Sequence, residues 1–313
     1  MASVKTITAV VVAVVAGSVF ATVATTSGLG GDGIVAIRNG ALTVGIDTAY
    51  GGAIALLVDN NNPLSNLINT HDMGRLVQQS YYSGPDPYRG GTFNNDPWPW
   101  NPISAGDRFG HRSTVLDIRN TSDWLYVKAR PLQWALDNVA CNCTFETNLT
   151  VDANGVFVRN RLRNHRYDKT VYPARDQELP AVYTVGTLPH LWTYSGDAPW
   201  TGGAVTEVSY PVPGPPWQRF HASEGWSAFT DAHPQKYGVG VLHAGVDTFL
   251  GGFAGQRGEG GPLSPNTGYQ APVAKAVLGP DAEYVFCFHL AIGYLDTIRG
   301  YFAERRTVPC RFD

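Results

Sequence analysis

Apolar and polar residues alternate along short stretches of this chain, and Gly, Asn, Asp or Pro separate one stretch from the next. A period of two is typical of β-strands with one buried face. Two hairpin turns are predicted, at Tyr50-Gly51-Gly52 and at Asp152–Gly155, because these residues tolerate positive φ. A short helix is expected only over Leu295 to Glu304, and the Gly- and Pro-rich stretch Gly251 to Pro272 is predicted to be a long surface loop. The predicted strands are 41–47, 53–58, 113–118, 124–129, 144–151, 156–162, 181–185, 204–208, 238–242 and 284–291.

Composition strengthens this prediction. The 313 residues include 35 Gly, 21 Pro, 15 Tyr, 13 Phe and 8 Trp, and only 16% are charged. These numbers exclude a helical bundle or coiled coil and favour many short strands joined by turns. We therefore expect an all-β protein, a large antiparallel β-sandwich with few short helices. The net charge of -3 leaves no basic surface for a phosphate backbone, so nucleic acid is not an expected partner.

The first 24 residues differ from the rest of the chain. Lys5 precedes an apolar run from Ile7 to Ala16, and small residues follow up to Ala24. This order is typical of a secretory signal peptide, which predicts export and a mature single domain over 25–313. No other run approaches the roughly 18 apolar residues of a spanning helix, so we expect no membrane insertion of the mature chain.

Sequons and cysteines fit an extracellular location. Asn120, Asn142 and Asn148 each begin a glycosylation sequon, and in a eukaryotic source this stretch would face solvent. The four cysteines would allow two disulfides in an oxidising compartment. A bond between Cys141 and Cys143 is not expected, because residues two apart on a strand point to one face and the closed loop would be strained. Each would then pair with Cys287 or Cys310, unless Cys287 is a buried free thiol.

The opening of the predicted domain resembles a known family. The segments Gly40–Val44, Gly51–Leu57 and Asn66–Asn69, followed by polar Asp72 and Arg75, are similar to the start of galactose-mutarotase-like β-sandwiches. The hairpin that ends in Val156–Asn164 resembles their central sheet. The resemblance implies a sandwich fold and a sugar as the class of ligand.

Four segments concentrate polar and aromatic side chains: 71–82, 96–101, 106–111 and 178–192. Sugar hydroxyls are bound by planar polar groups, and the apolar faces of sugar rings stack on aromatic rings. Glu178 stands just before a strongly apolar strand, where partial burial raises a carboxyl pKa for acid catalysis, so it is our candidate acid. Asp107 or Asp72 would be the second carboxylate. The remaining candidates, all assigned to substrate binding, are Arg75, Gln78, Gln79, Tyr81, Tyr82, Trp98, Trp100, His111, His190 and Trp192.

Some residue patterns are absent or have a structural explanation. The chain has no C-x-x-C pair, H-E-x-x-H helix, P-loop, dinucleotide fingerprint or G-x-S-x-G elbow, so we expect neither a metal nor a cofactor. His289 shares a strand face with apolar residues and is interpreted as an interior histidine.

Three functions remain open. The leading hypothesis is a secreted glycoside hydrolase that cleaves a neutral poly- or oligosaccharide with paired carboxylates. A polysaccharide lyase is the second, with Tyr82, His111 or His190 as base and Arg75 neutralising a uronate. A glycan-binding wall or matrix protein is the third, since sandwich folds also serve as lectin-like modules. Protein partners are not predicted.

A single site requires that the four segments meet. We predict that six residues line one concave face and that the sequons lie away from it, because a glycan beside the cleft would obstruct it. The six are Arg75, Gln78, Trp98, Asp107, Glu178 and His190.

Overall fold

A computed structural model describes residues 33–62, 66–211 and 213–312. The predicted signal peptide lies outside these residues. Two large antiparallel sheets stack face to face, which confirms the predicted all-β sandwich.

The first sheet, named the site sheet, runs in the order β1-β2-β3-β4-β13-β20-β19-β16, and β7 and β10 extend it beside β4. Its strands are β1 (Ile34–Arg38), β2 (Leu42–Asp47), β3 (Ala53–Asp59), β4 (Val77–Ser80), β7 (Pro102–Ile103), β10 (Leu132–Gln133), β13 (Arg175–Val185), β16 (Gln218–His221), β19 (Thr248–Ala254) and β20 (Thr267–Ala276).

The second sheet, named the back sheet, runs in the order β15-β14-β17-β18-β21-β12-β11-β9-β8. Its strands are β8 (Thr114–Asn120), β9 (Trp124–Arg130), β11 (Cys143–Val151), β12 (Gly155–Asn164), β14 (His190–Thr193), β15 (Thr206–Glu207), β17 (Trp226–Thr230), β18 (Tyr237–Leu242) and β21 (Glu283–Tyr294). A two-stranded ribbon pairs β5 (Thr92–Phe93) with β6 (Asp96–Pro97).

In the described residues, helical structure is limited to a 3₁₀ turn at Thr48–Tyr50 and helix α1 (Leu295–Arg305), which packs on the outer face of the back sheet through Ile298 and Phe302. Within the described residues no helix is both long and apolar enough to span a bilayer.

The core lies between the two sheets. Ile46, Ile54 and Val182 of the site sheet share one apolar cluster with Val158 and Phe288 of the back sheet, and each is at most 2% exposed. Burial at this density supplies the main driving force for folding. The site sheet keeps an outer face that the core does not use, and the candidate site lies there.

All ten strands predicted from alternation overlap observed strands, but eleven of the 21 strands among the described residues were not predicted. The helix and both hairpins are confirmed, with Gly51 and Gly52 at φ 58° and 77°. The loop predicted over 251–272 is confirmed only for 255–266, because β19 ends at Ala254 and β20 begins at Thr267. Gly and Pro obscured two strands that pair with each other in the middle of the site sheet.

The prediction of two disulfides is confirmed, but the predicted pairing is wrong. Cys141 bonds to Cys143, and Cys287 bonds to Cys310, so none of the four is a free thiol. The argument against the first pair assumed that both cysteines lie on one strand. Strand β11 begins only at Cys143, and a bend at Asn142 brings the two Cα atoms to 5.1 Å.

The sequons differ in exposure. Asn120 is exposed, but Asn148 is only 7% exposed and its Oδ1 accepts a 2.7 Å hydrogen bond from the Trp124 indole. The expectation that the whole stretch faces solvent is therefore wrong at Asn148. Asn120 and Asn148 belong to strands β8 and β11 of the back sheet, and Asn142 directly precedes β11.

Candidate functional site

Strand β13 has an irregularity beside Glu178. Its pairing register with β20 shifts between Glu178 and Val182, as a β-bulge does. Gln177 points inward and is 0% exposed, whereas Glu178 points to the outer face. Tyr183 also lies on the outer face, although an unbroken strand would place residues five apart on opposite faces. The bulge thus brings Glu178 and Tyr183 to the same surface.

Two tyrosines hold the Glu178 carboxyl group. The Tyr82 hydroxyl donates to Oε1 at 3.2 Å, and the Tyr269 hydroxyl donates to Oε2 at 2.5 Å. Gln177 fixes the backbone of Tyr82 from below, since its side-chain amide bonds both the N–H and the C=O of that residue. The carboxyl group therefore has a set position between two phenols.

Burial decides the proton affinity of this group. Desolvation raises the pKa of Glu178, and the hydrogen bonds from Tyr269 and Tyr82 offset part of that rise. The pKa values of Tyr82 and Tyr269 are also raised well above 10, first by burial and then by the negative charge of Glu178. Both phenols consequently remain protonated and act as donors, while Glu178 keeps its proton to a higher pH than an exposed carboxyl group does.

Aromatic rings flank Glu178 on both sides. On one side Tyr269 packs against Trp217 at 4.7 Å and 23°, and against Tyr183 at 4.7 Å. On the other side Tyr82 packs against Trp98 at 6.2 Å. The half-buried rings, those of Tyr82, Trp98, Tyr183 and Trp217, are suited to bind the apolar faces of sugar rings. Tyr269 is fully buried and acts through its hydroxyl on Glu178.

Arg75 adds a cation beside this surface. Its guanidinium lies 5.4 Å from the centre of the Tyr183 ring, and its side chain is 21% exposed. Asp72 is 3.9 Å away, beyond hydrogen-bond distance, and the buried Nε has no hydrogen-bond partner among the described residues. Because a half-buried guanidinium without acceptors is costly, Arg75 is positioned to bind an oxygen supplied by a ligand.

Five predicted residues are therefore linked by contacts on the outer face of the site sheet, or on the loop beside it. They are Asp72, Arg75, Tyr82, Trp98 and Glu178.

Other predicted residues are buried and cannot contact a ligand. Tyr81 and Trp100 are 0% and 1% exposed in the inter-sheet core, and Gln79 is 2% exposed with Tyr81 as its hydrogen-bond donor. Gln78 is 5% exposed and holds the backbone carbonyls of Met73 and Arg75, so it supports the loop. Substrate binding is therefore the wrong assignment for these four. Strand alternation explains why Tyr81 is buried, since Tyr81 faces inward and its neighbour Tyr82 faces outward.

Asp107 is not available as a catalytic partner. Its carboxylate is buried and accepts hydrogen bonds from the backbone N–H groups of Phe109, His111 and Asn138 and from the His111 ring. The role of this carboxylate is to close the loop that carries His111. Among the described residues, Asp107, His111 and Asp137 are the one group whose ligand atoms lie within 4.8 Å of each other, as a metal site would require. The backbone donors already occupy both Asp107 oxygens, and the geometry is that of a closed turn.

His190 and Trp192 also lie elsewhere. The Trp192 indole donates to Thr230 of the back sheet, and Lys236 Nζ lies 3.4 Å from the ring centre. His190 pairs with Glu207 at 2.7 Å in a separate cleft. The prediction of one surface for six residues thus holds for Arg75, Trp98 and Glu178 and is wrong for Gln78, Asp107 and His190.

Sequence reasoning missed three aromatic residues of the site, Tyr183, Trp217 and Tyr269. Tyr269 fell in the stretch predicted to be a loop, and Trp217 follows Gly214-Pro215-Pro216 in an irregular segment. Tyr183 belongs to the fourth polar segment, but its face could not be predicted without the bulge in β13.

Comparison with known proteins gives structural similarity at low sequence identity. No protein-family model matches the chain, and no curated protein matches it by sequence. The chain is similar to a candidate aldose 1-epimerase from Escherichia coli K12, with a TM-score of 0.49 and 11% identity over 84% of this chain and 99% of that chain. A galactose mutarotase-like protein from Lactobacillus casei has a TM-score of 0.48 and 12% sequence identity, over 83% of this chain and 100% of that chain. A 4-alpha-glucanotransferase from Thermococcus litoralis has a TM-score of 0.46 and 10% sequence identity. The similarity covers 82% of this chain but 37% of that chain.

Galactose-mutarotase-like structures are thus among those that this chain resembles, as the opening segments of the sequence suggest. At these identities the similarity concerns the course of the backbone alone, and the function of the site is argued from its own residues.

Proposed function

We propose that this chain is a secreted carbohydrate-active enzyme, a glycoside hydrolase in which Glu178 protonates the leaving glycosidic oxygen. One observation carries the proposal: a desolvated carboxyl group with a raised pKa is held by Tyr82 and Tyr269 between flat aromatic rings. Aromatic rings bind the sugar, and the carboxyl group supplies the proton that cleavage of the acetal requires.

Cleavage also needs a second carboxyl group that is ionised. Asp72 is the candidate that remains once Asp107 is excluded. Its side chain is 48% exposed, its Oδ1 accepts from the Gly74 N–H at 2.8 Å, and Arg75 lies beside it. In this role the Asp72 carboxylate acts either on the sugar carbon or on a water molecule.

A lyase mechanism has less support on this surface. Its base would be Tyr82, His111 or His190, but burial keeps Tyr82 protonated, and the two histidine rings pair with the carboxylates of Asp107 and Glu207. The hydrolase is therefore the better proposal.

Export of the chain is part of the proposal. It is supported by the order of residues 1–24 and by two disulfides, which persist in oxidising compartments.

The test is release of reducing sugar from a panel of neutral glycans. We expect turnover by the wild type, a loss of at least 100-fold in Glu178→Gln, and a large loss in Asp72→Asn. Matched controls are Glu304→Gln on α1 and Asp117→Asn on the back sheet, both remote from the site.

The outcomes separate the three functions. Full activity in Glu178→Gln would remove that residue from the mechanism. Glycan binding without any turnover would identify a binding protein, and an ultraviolet-absorbing unsaturated product from a uronate polymer would identify a lyase.

A further inference from the structure

A second polar cleft lies beyond the ends of β13 and β19. It has a volume of about 720 Å³, within the range of small-ligand sites, and its walls include His190, Glu207, Ser209, Tyr210 and Arg257. None of these residues contacts Glu178, and the proposed chemistry uses none of them.

Internal contacts hold the polar groups of this cleft in place. Nδ1 of His190 lies 2.7 Å from Oε1 of Glu207, which orients the imidazole and leaves its Nε2 for a ligand. The Arg257 guanidinium lies 4.2 Å from the centre of the Tyr210 ring, and its Nη2 donates to the Tyr210 carbonyl at 2.7 Å. Tyr210 in turn is anchored by its hydroxyl on the Pro189 carbonyl and packs on Phe229 of the core.

The chemistry of the cleft suits a neutral polyol. Glu207 and Arg257 carry opposite charges that cancel, so the cleft has no surplus of positive charge for an anion. The carboxylate accepts hydrogen bonds, the guanidinium donates them, and the Ser209 hydroxyl does both. Together these groups match the hydroxyls of a sugar.

The cleft is connected to the Glu178 surface by aromatic residues. Trp217 stacks on Tyr269, whose hydroxyl binds Glu178. Gly252 pairs with Tyr269, and a Cβ built on Gly252 would lie 3.0 Å from Trp217 and 4.0 Å from the Cβ of Tyr210. Trp217 and Tyr210 therefore lie side by side over Gly252. Tyr269 lies four positions along β20 from Val273, the partner of Glu178, which is roughly 13 Å along the strand.

We propose that this cleft is a distal subsite that binds neutral sugar units of the same glycan whose reacting bond lies at Glu178. The role of the cleft in turnover rests on the proposed function, whereas the binding of sugar in the cleft does not. The substrate would accordingly be an oligo- or polysaccharide rather than a single sugar.

Binding is measured with the Glu178→Gln protein, which keeps the glycan intact. The probes are cellohexaose, maltohexaose, xylohexaose and mannohexaose, each compared with its disaccharide. Their binding is measured by saturation-transfer NMR and calorimetry. We expect one hexamer to bind at least tenfold more tightly than its disaccharide. Adding Glu207→Gln or Arg257→Gln should remove this difference, and adding Glu304→Gln should not. Glu207 and Arg257 are exposed, and thermal melting confirms that each variant is folded.

The results distinguish this inference from the proposed function. Hexamer binding that depends on Glu207 and Arg257 supports the subsite even if the wild type shows no turnover. The subsite inference would be overturned if Glu207→Gln and Arg257→Gln left the turnover of both long and short substrates unchanged. It would also be overturned if no hexamer bound. Tighter binding of a galacturonate hexamer than of any neutral hexamer would overturn the assignment to neutral sugars.

Discussion

The Tyr269 hydroxyl lies 2.5 Å from Oε2 of Glu178, and the two residues belong to the neighbouring strands β20 and β13. This hydrogen bond favours the ionised carboxylate, whereas burial favours the protonated acid. The proton affinity of Glu178 is the balance of these effects, so it can be shifted in either direction by substitution.

Tyr269→Phe should move the pH dependence of activity. Loss of a donor to the carboxylate raises the pKa of Glu178 further, so the acid form persists to higher pH. We expect the alkaline limb of the kcat profile to shift upward by about 1 pH unit. Tyr294→Phe, an exposed tyrosine outside the site, is the control. A downward shift would contradict the assigned role of the hydrogen bond.

Glu178→Gln should stabilise the fold as pH rises. The pKa of Glu178 is higher in the folded chain than the unfolded value of 4.5, so its contribution to stability is present below pH 4.5. That contribution is lost as pH increases through the folded pKa. Denaturant unfolding should show that the advantage of the variant over wild type grows with pH, and an equal difference at all pH values would contradict the linkage.

Arg75→Gln should raise KM more than it lowers kcat. Its buried Nε has no hydrogen-bond partner among the described residues, and its Nη1 lies 3.9 Å from Asp72, so we expect the guanidinium to bind an oxygen of the ligand. We expect KM to rise about tenfold, which corresponds to about 1.4 kcal/mol. Arg119→Gln on the back sheet is the matched control. An unchanged KM together with a large loss of stability would show that Arg75 is purely structural.

The two disulfides should contribute unequally to stability. Cys287–Cys310 closes a loop with a separation of 23 residues, whereas Cys141–Cys143 closes one of 2. Chain entropy predicts a loss of about 3 kcal/mol for Cys287→Ala with Cys310→Ala, and a smaller loss for the other pair. Urea unfolding of both double variants measures this, and the reverse order would refute the prediction.

His289 should limit stability in acid. It is 4% exposed and stacks on Phe157 at 4.4 Å, and burial lowers its pKa to about 4. Below pH 6.5 the unfolded chain binds a proton that the folded chain does not, so stability falls as pH decreases from 6.5 to 4. The loss reaches about 3 kcal/mol. His289→Gln should flatten this slope in unfolding measurements, and a slope equal to wild type would contradict the assignment.

Local information in the sequence was sufficient for much of the architecture. Alternation and turn residues predicted the all-β sandwich, the hairpins at Gly51 and Asp152 and the helix from Leu295. The clustering of polar and aromatic types pointed to Arg75, Trp98 and Glu178. These features depend on residues close together in the chain, where strand periodicity and backbone preferences act directly.

Tertiary structure decided which side chains form the site. A bulge in β13 brings Glu178 and Tyr183 to one face, against the parity of their spacing, and Tyr269 reaches Glu178 from 91 residues away. Tyr81 and Tyr82 are adjacent and equally suited to bind a sugar, yet only Tyr82 faces outward. Strand order, register and the direction of the buried face arise from packing the two sheets together, and no local pattern encodes them.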